Sequence, residues 1–373
     1  MEQLTEPVEL PDELALDFDL DADQDSDEQL YRQVAFKVDA GQSLLRIDKF
    51  LNNRMDKASR TKIQDAARAG CVLVNGKTVK PNYKVRPHDD ILVLLPRPVQ
   101  AYSLEPEAMD LVVVYEDDDL MVINKPAGLV VHPGCGHNTG TLVHGLLHHF
   151  KQLPAGISNA VIDGEQRPGL VHRIDKNTSG LMVIAKNDYA MSHLARQFFY
   201  HTVQRRYVAL VWGDFDQDEG TITGNLDRHA RFRKIMDVYP DGERGKHAIT
   251  HYRVLERLGY VTLVECRLET GRTHQIRVHF QHIGHPLFND PEYGGNRIIK
   301  GTVYTKYRQF VDNCFDMLPR QALHAQILGF EHPTSGKNLQ FEAVLPDDMK
   351  QLIDKWRKYM AFSGKFEQVN EQA

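Results

Sequence analysis

Two short stretches carry charged and polar side chains densely enough either to do chemistry or to form structural ion pairs. The first is Gly169-Leu170-Val171-His172-Arg173-Ile174-Asp175-Lys176-Asn177-Thr178-Ser179-Gly180, followed by the apolar run 181–185. A strand-like run ends in the charged cluster, Thr178-Ser179-Gly180 makes a turn, and an apolar strand leaves it. Charges set between two apolar runs are costly to bury unless paired. They therefore either line the mouth of a site or form ion pairs that hold a turn. The second stretch is residues 265–279, with Thr270-Gly271-Arg272-Thr273-His274-Gln275-Ile276-Arg277 at its centre. Gly271 breaks a strand there, and Thr273 is placed to cap the helix that follows. Arg272, at the strand end, can clamp a carboxylate through a planar bidentate pair. Asp175 is the partner expected for it.

These stretches must be held by a body of short β-type runs and a few helices over residues 110–348. It opens with a strand over 112–115, an acidic turn, and the run Leu120-Met121-Val122-Ile123. Lys125-Pro126-Ala127-Gly128 then reads as a loop, because a buried strand does not account for Lys125 beside Pro126. Thr141 is placed to cap a helix through Phe150. A last amphipathic run over 347–359 precedes a polar tail. Upstream lies a small module. Leu44, Ile47, Phe50 and Leu51 follow a 3.6-residue period. Ser59 can cap a second helix through Ala69, which Gly70 stops. Val72-Leu73-Val74 leads into Asn75-Gly76, a strong hairpin signal, and 91–95 gives a further strand. Between residues 45 and 97 there are twelve Lys or Arg against five Asp or Glu. Arg54, Lys57, Arg60, Lys62 and Arg68 lie on or between the two helices, where they either bind phosphate or form a solvated face.

The chain has 373 residues, 42% hydrophobic and 26% charged, which is globular composition for two or three domains. The net charge of −6 is unevenly placed. Residues 1–31 hold twelve Asp or Glu and no Lys or Arg, so the rest of the chain is net +6. A mildly basic body with an acidic arm is compatible with nucleic-acid binding. The expected organisation is an acidic, disordered arm over 1–42, the basic module over 43–97, a linker over 98–109, the main body over 110–360 and a polar tail over 361–373. Four cysteines far apart in sequence imply no disulfide framework. No apolar run approaches the roughly 20 residues that cross a bilayer, and no secretion signal opens the chain. A cytoplasmic setting is expected, with no membrane contact. There is no Walker loop, dinucleotide fingerprint or HExxH. His148-His149 and the His279/His282 pair read as scattered surface or core histidines, so no metal is expected.

Taken with Lys125-Pro126-Ala127-Gly128 and Arg206-Tyr207, the two dense stretches resemble the RluA-type pseudouridine synthases. The module from Arg46-Ile47-Asp48-Lys49-Phe50-Leu51 through Ser59-Arg60 to Val74-Asn75-Gly76-Lys77 resembles the S4 RNA-binding domain. The likeness spans residues 43–348 and is strongest to S4-bearing members that modify large-subunit ribosomal RNA. One departure is Ile174, where Leu is commoner. The resemblance implies an α+β fold: a mixed, mostly antiparallel sheet with helices around it and a central cleft, plus the small S4 unit. It implies isomerisation of uridine to pseudouridine in structured RNA, free or in a precursor particle, by a monomeric enzyme. That reaction breaks the N1–C1′ bond, turns the uracil and rejoins it through C5, so no cofactor is expected.

The resemblance also assigns roles. Asp175 is the carboxylate beside C1′, either attacking it or removing a sugar proton. Arg272 keeps that carboxylate ionised. Arg173 fills the gap left by the flipped base, and Tyr207 is the platform for the uracil or the base that takes the C5 proton. His172, Lys125 and Arg277 are expected at the substrate, the latter two on phosphate or the uracil edge. Arg54, Arg60 and Lys62 are expected on RNA. Three alternatives stand beside this reading: a synthase for transfer RNA, a non-catalytic S4-type binding protein, and a glycosidase that releases free uracil.

Overall fold

The computed structural model describes residues 31–55, 59–96, 105–133, 137–151, 161–162, 165–166, 169–232, 235–242, 244–302 and 304–370. Lys57, the expected arm before Tyr31, linker residues 98–104 and the last three residues lie outside these.

The N-terminal unit contains β1 (Tyr31–Lys37), β2 (Leu45–Arg46), α1 (Ile47–Asn52), α2 (Arg60–Arg68), β3 (Val72–Val74), β4 (Lys77–Thr78), β5 (Lys84–Val85) and β6 (Asp90–Pro96). Ile47, Phe50, Ile63, Ala66, Val72 and Val93 form its fully buried core. The Ser59 side chain accepts from Lys62 N at 3.3 Å and starts α2. Asn75 and Gly76 both have positive φ, 50° and 76°, as a two-residue hairpin of this twist requires. The arm expected through residue 42 is shorter than that. β1 pairs antiparallel with β6 from Tyr31↔Pro96 to Lys37↔Asp90. The acidic run ends before it, and the alternation Val34, Phe36, Val38 turns apolar side chains to the core.

The larger unit contains β7 (Val113–Glu116), β8 (Leu120–Lys125), α3 (Leu142–Lys151), β9 (Val161–Ile162), β10 (Glu165–Gln166), β11 (Ser179–Ala185), α4 (Asp188–Phe199), β12 (Gln204–Trp212), β13 (Glu219–Arg228), β14 (Met236–Tyr239), β15 (Lys246–Arg257), β16 (Val261–Leu268), α5 (Gln275–His282), α6 (Thr305–Met317), β17 (Leu323–Glu331), β18 (Asn338–Glu342) and α7 (Asp347–Asn370). A ten-stranded sheet runs β14-β13-β15-β16-β12-β17-β11-β8-β7, with β18 also on β17. Its described pairs are antiparallel except β11 with β17. Both faces are covered. Met121, Ile123, Met182 and Ile184 pack on one side with Leu146 of α3 and Phe280 of α5. Leu120, Val122, Leu181 and Val183 turn to the other, against Leu194 and Phe198 of α4. Further along that face, Leu210 and Trp212 meet Val311 of α6 and Trp356 of α7. The sheet is thus a rigid platform, and the loops at its strand ends are where function can be carried.

Several local expectations need correction. Residues 169–175 form no strand; one isolated bridge, Leu170↔Ile184, holds them against β11. Lys125 is not in a loop but closes β8, fully buried. Thr273 does not cap α5: the cap residue is His274, in the left-handed region at φ 53°. Glu107 and Met109, expected in the linker, pack on α3, with Glu107 N bonded to His144 O. Helix α7 continues to Asn370, through most of the expected tail. The two units meet across α4, whose Tyr189 and Phe199 pack on the N-terminal core, while Cys71 Sγ donates to Ser192 O at 3.2 Å.

Candidate active site

Asp175 sits in the loop that leads into β11, and its neighbours fix that loop from below. Leu170, Val171 and Ile174 are buried. The His172 ring stacks on Phe198 at 4.5 Å, and its Nε2 accepts from Val183 N at 3.0 Å. Burial pushes the His172 pKa down to about 3, so the ring stays neutral and can accept. Lys125 Nζ donates to three carbonyls, those of Pro126 (2.9 Å), Leu129 (2.9 Å) and Lys176 (3.0 Å). Arg320 Nη1 donates to Asn177 O at 3.2 Å while its Nε and Nη2 grip the Asp348 carboxylate at the start of α7. Two buried basic side chains, Lys125 and Arg320, therefore hold the backbone just after Asp175, and the Asp175 side chain is left 23% exposed.

The facing groups come from the turn after β16. Gln275 Oε1 accepts from Thr270 Oγ1 (2.7 Å) and Arg272 N (3.0 Å), and its amide donates to Ile249 O and Thr250 Oγ1. This ties the start of α5 to β15. His274 and Arg277, three residues apart, then share one helix face. Arg277 is almost fully buried. Its Nε and Nη2 make a bidentate pair with the fully buried Asp290, at 2.7 and 2.8 Å. Nη2 also bonds Glu292, and Nη1 donates to Asp175 Oδ2 at 3.1 Å. The guanidinium lies over the Tyr293 ring, 4.9 Å from its centroid. His274 Nε2 is 4.0 Å from Asp175 Oδ1.

Burial alone raises the pKa of Asp175, but the positive charges of His274, Arg277 and Arg173 outweigh it and hold the carboxyl below its ordinary range. Burial pushes His274 itself down. At neutral pH the lasting cations at Asp175 are therefore the guanidinium groups. The site presents an ionised, partly open carboxylate with one oxygen anchored. Such a group can act as a nucleophile or as a base.

The expected site residues separate under this geometry. The guanidinium on Asp175 belongs to Arg277, not Arg272. Arg272 precedes the helix, and its Nε donates to His247 O at 3.1 Å. Arg277 is turned inward rather than toward phosphate: four of its five N–H donors go to Asp290, Glu292 and Asp175, and its side chain is buried. Lys125 is likewise unavailable to substrate. It is fully buried under the loop, and burial with Arg320 nearby lowers its pKa to about 7 against the pull of Asp175. His172 is sealed in the core, not at a substrate surface. Arg173 is half-buried beside Asp175. Tyr207 is mostly buried in β12, on the sheet face that also holds Ile174 and Ile276. In the N-terminal unit, Arg60 bonds Asp48 at 3.0 Å, and Arg54 lies 4.0 Å over the Phe50 ring and 3.6 Å from Asp39. Lys62 is partly exposed on α2. Asp290, Glu292 and Tyr293 were not found from sequence. The i,i+3 spacing of His274 and Arg277 was a usable signal; the acidic pair beyond α5 was not.

Comparison with known proteins gives a consistent result. Residues 119–282 match the family model described as RNA pseudouridylate synthase, and residues 45–91 match the S4 domain. A Bacillus subtilis protein named uncharacterized RNA pseudouridine synthase YlyB is 46% identical over 326 residues, covering 87% of this chain and 99% of that one. Proteins named ribosomal large subunit pseudouridine synthase D are 43% identical in both Zymomonas mobilis and Nitrosomonas europaea. The match covers 83% of this chain in each case, and 92% and 83% of theirs. Identity at this level across nearly whole chains, together with an ionised carboxylate set on an α+β platform, makes the chain an RNA pseudouridine synthase that carries an S4 domain.

Proposed function

We propose that this enzyme isomerises specific uridines of large-subunit ribosomal RNA, with Asp175 as the carboxylate that acts at C1′. The observation that carries the assignment is the asymmetry of Asp175. Arg277 anchors Oδ2, the side chain stays partly open, and its pKa is held down, so an ionised oxygen is free to meet the sugar. Arg173, beside it and half-buried, occupies the vacated stack when the target base flips out. Tyr207 packs against the flipped uracil from the sheet. Arg272, at the rim of the turn before α5, contacts RNA rather than Asp175. The S4 unit grips folded RNA through its basic helices, with Arg54, Arg60 and Lys62 on phosphates. The substrate class is supported by the names of the relatives at 43% identity. A ribosomal substrate and three buried free thiols agree with a cytoplasmic setting.

The test is pseudouridine mapping of total RNA from cells that lack the gene, complemented with wild type or with Asp175→Ala. Ribosomal sites should vanish and return with wild type alone. Loss of transfer-RNA sites instead would move the substrate and keep the chemistry. Full restoration by Asp175→Ala would remove Asp175 from the reaction.

A further inference from the structure

The two oxygens of Asp175 have different surroundings. Oδ2 accepts from Arg277, whereas no described hydrogen bond reaches Oδ1, which faces His274 Nε2 at 4.0 Å. That gap is too long for a hydrogen bond, and such contacts often tighten only when substrate binds. The other ring nitrogen, Nδ1, lies 2.9 Å from the Tyr293 hydroxyl. That hydroxyl already accepts from the Met236 backbone N–H at 2.9 Å. Among the described residues the hydroxyl's own proton has no acceptor other than Nδ1, so donation to Nδ1 satisfies both groups; Glu292 Oε2, 3.9 Å from Nδ1, is already bonded by Arg277. In a neutral imidazole the ring proton then sits on Nε2, pointed at Oδ1. The backbone sets where the ring starts: His274 holds φ 53° at the start of α5, a left-handed conformation that His, like Asn and Asp, adopts more readily than other side chains and that His88 and His201 also hold. The ionisable groups facing the ring are Asp175, Arg277, Glu292, Asp290 and Tyr293.

We propose that His274, fixed as its Nε2–H tautomer by Tyr293, is a positioning residue that steers the reacting Oδ1 of Asp175. This rests on the reading of Asp175 as the catalytic carboxylate. A neutral N–H donor can direct Oδ1 onto the sugar without adding a charge. A protonated imidazole would instead bind Oδ1 as an ion pair and hold it back. Burial, which keeps His274 below the ordinary histidine range, favours the working form at neutral pH. Arg277 therefore sets the charge of the carboxylate, and His274 sets its direction.

The test compares single-turnover pseudouridine formation on RNA extracted from a strain lacking the gene, with RNA affinity measured in parallel. His274→Gln keeps a donor at similar reach, whereas His274→Asn tolerates the left-handed backbone but falls short. The glutamine variant should stay within about threefold of wild type and the asparagine variant should fall about a hundredfold, with RNA affinity unchanged in both. Tyr293→Phe, which frees the tautomer, should cost about tenfold. The wild-type rate should decline in acid as His274 protonates, and the glutamine variant should lose that decline. A wild-type rate for His274→Asn, or equal losses for Asn and Gln with the acid decline intact, overturns the role of His274. Asp175→Asn, run alongside, separates the two readings. If it stays active, the parent assignment fails; if it is inactive while His274→Asn is unimpaired, only the present inference fails.

Discussion

Two carboxylates of this enzyme sit among arginines, and they are bonded in opposite ways. Asp48, in the S4 unit, has a side chain with no exposure, and both of its oxygens are filled. It accepts from Arg46 Nε and Nη2, Arg60 Nε, Gln64 Nε2 and Lys49 N, at 2.6–3.1 Å. Burial opposes its charge, but the bonds from Gln64, Arg46 and Arg60 outweigh that and bring its pKa to about 2. The Asp175 carboxylate accepts one described hydrogen bond, from a residue 102 positions away, and the side chain remains 23% exposed. The difference is in what is left over. A saturated carboxylate fastens two helices together and has no lone pair to offer. A half-saturated one is kept ionised by its anchor and retains an oxygen that can react. The count of unfilled acceptors, more than the presence of arginine, tells the two apart.

The largest effect should come from Arg277→Met. It leaves Asp290 buried without its cation and Asp175 without its anchor. Removal of one partner from a buried ion pair costs about 3–5 kcal/mol, and turnover should fall by at least about a hundredfold. Urea unfolding and single-turnover assays measure the two losses. A variant that loses stability but keeps its turnover per folded molecule would break the link between Arg277 and Asp175.

Asp48→Asn should separate the two carboxylates. Stability should drop by about 2 kcal/mol, from the displacement of its pKa below the ordinary carboxylate value, while turnover on bound RNA stays near wild type. The sign follows from the direction of the shift. A lowered folded-state pKa gives stability that is fully present above about pH 4 and is lost as pH falls toward about 2. Acid unfolding of the Asn variant should lack that portion of the curve. If the two profiles superimpose, Asp48 is not the lock described.

The smallest effect is expected from Lys62→Ala in α2, where the side chain is partly exposed. RNA affinity should weaken modestly, and the slope of log affinity against log salt should fall by about one, with no change in single-turnover rate. An unchanged slope would take Lys62 off the phosphate path.

Much of this was legible in the sequence, and the limits have physical causes. Ser59, Asn75-Gly76 and Gly70 act through local backbone rules, and the structure uses them as those rules require. The two charged stretches by themselves fit a site mouth or an ion-paired turn equally, since either places adjacent charges between apolar runs; the resemblance to a known family chose between them. Which arginine reaches Asp175 was not legible. Arg272 and Arg277 differ only in whether the helix has begun, and that depends on Gln275 tying the turn to β15. For Lys125 and His172 the sequence shows only a charged or titratable side chain near a motif, which suggests substrate and does not reveal burial. Here one donates to three carbonyls and the other accepts a backbone N–H, both beneath the loop. Asp290 and Tyr293 join the site only through tertiary contacts.

The central claim is that the open oxygen of Asp175 performs the chemistry while the rest of the site keeps it ionised and aimed. Its most direct test is purified Asp175→Asn, which keeps the shape of the side chain and removes its charge. RNA affinity should match wild type, and no pseudouridine should form in a single turnover. Pseudouridine formed at a rate near that of wild type would contradict the account.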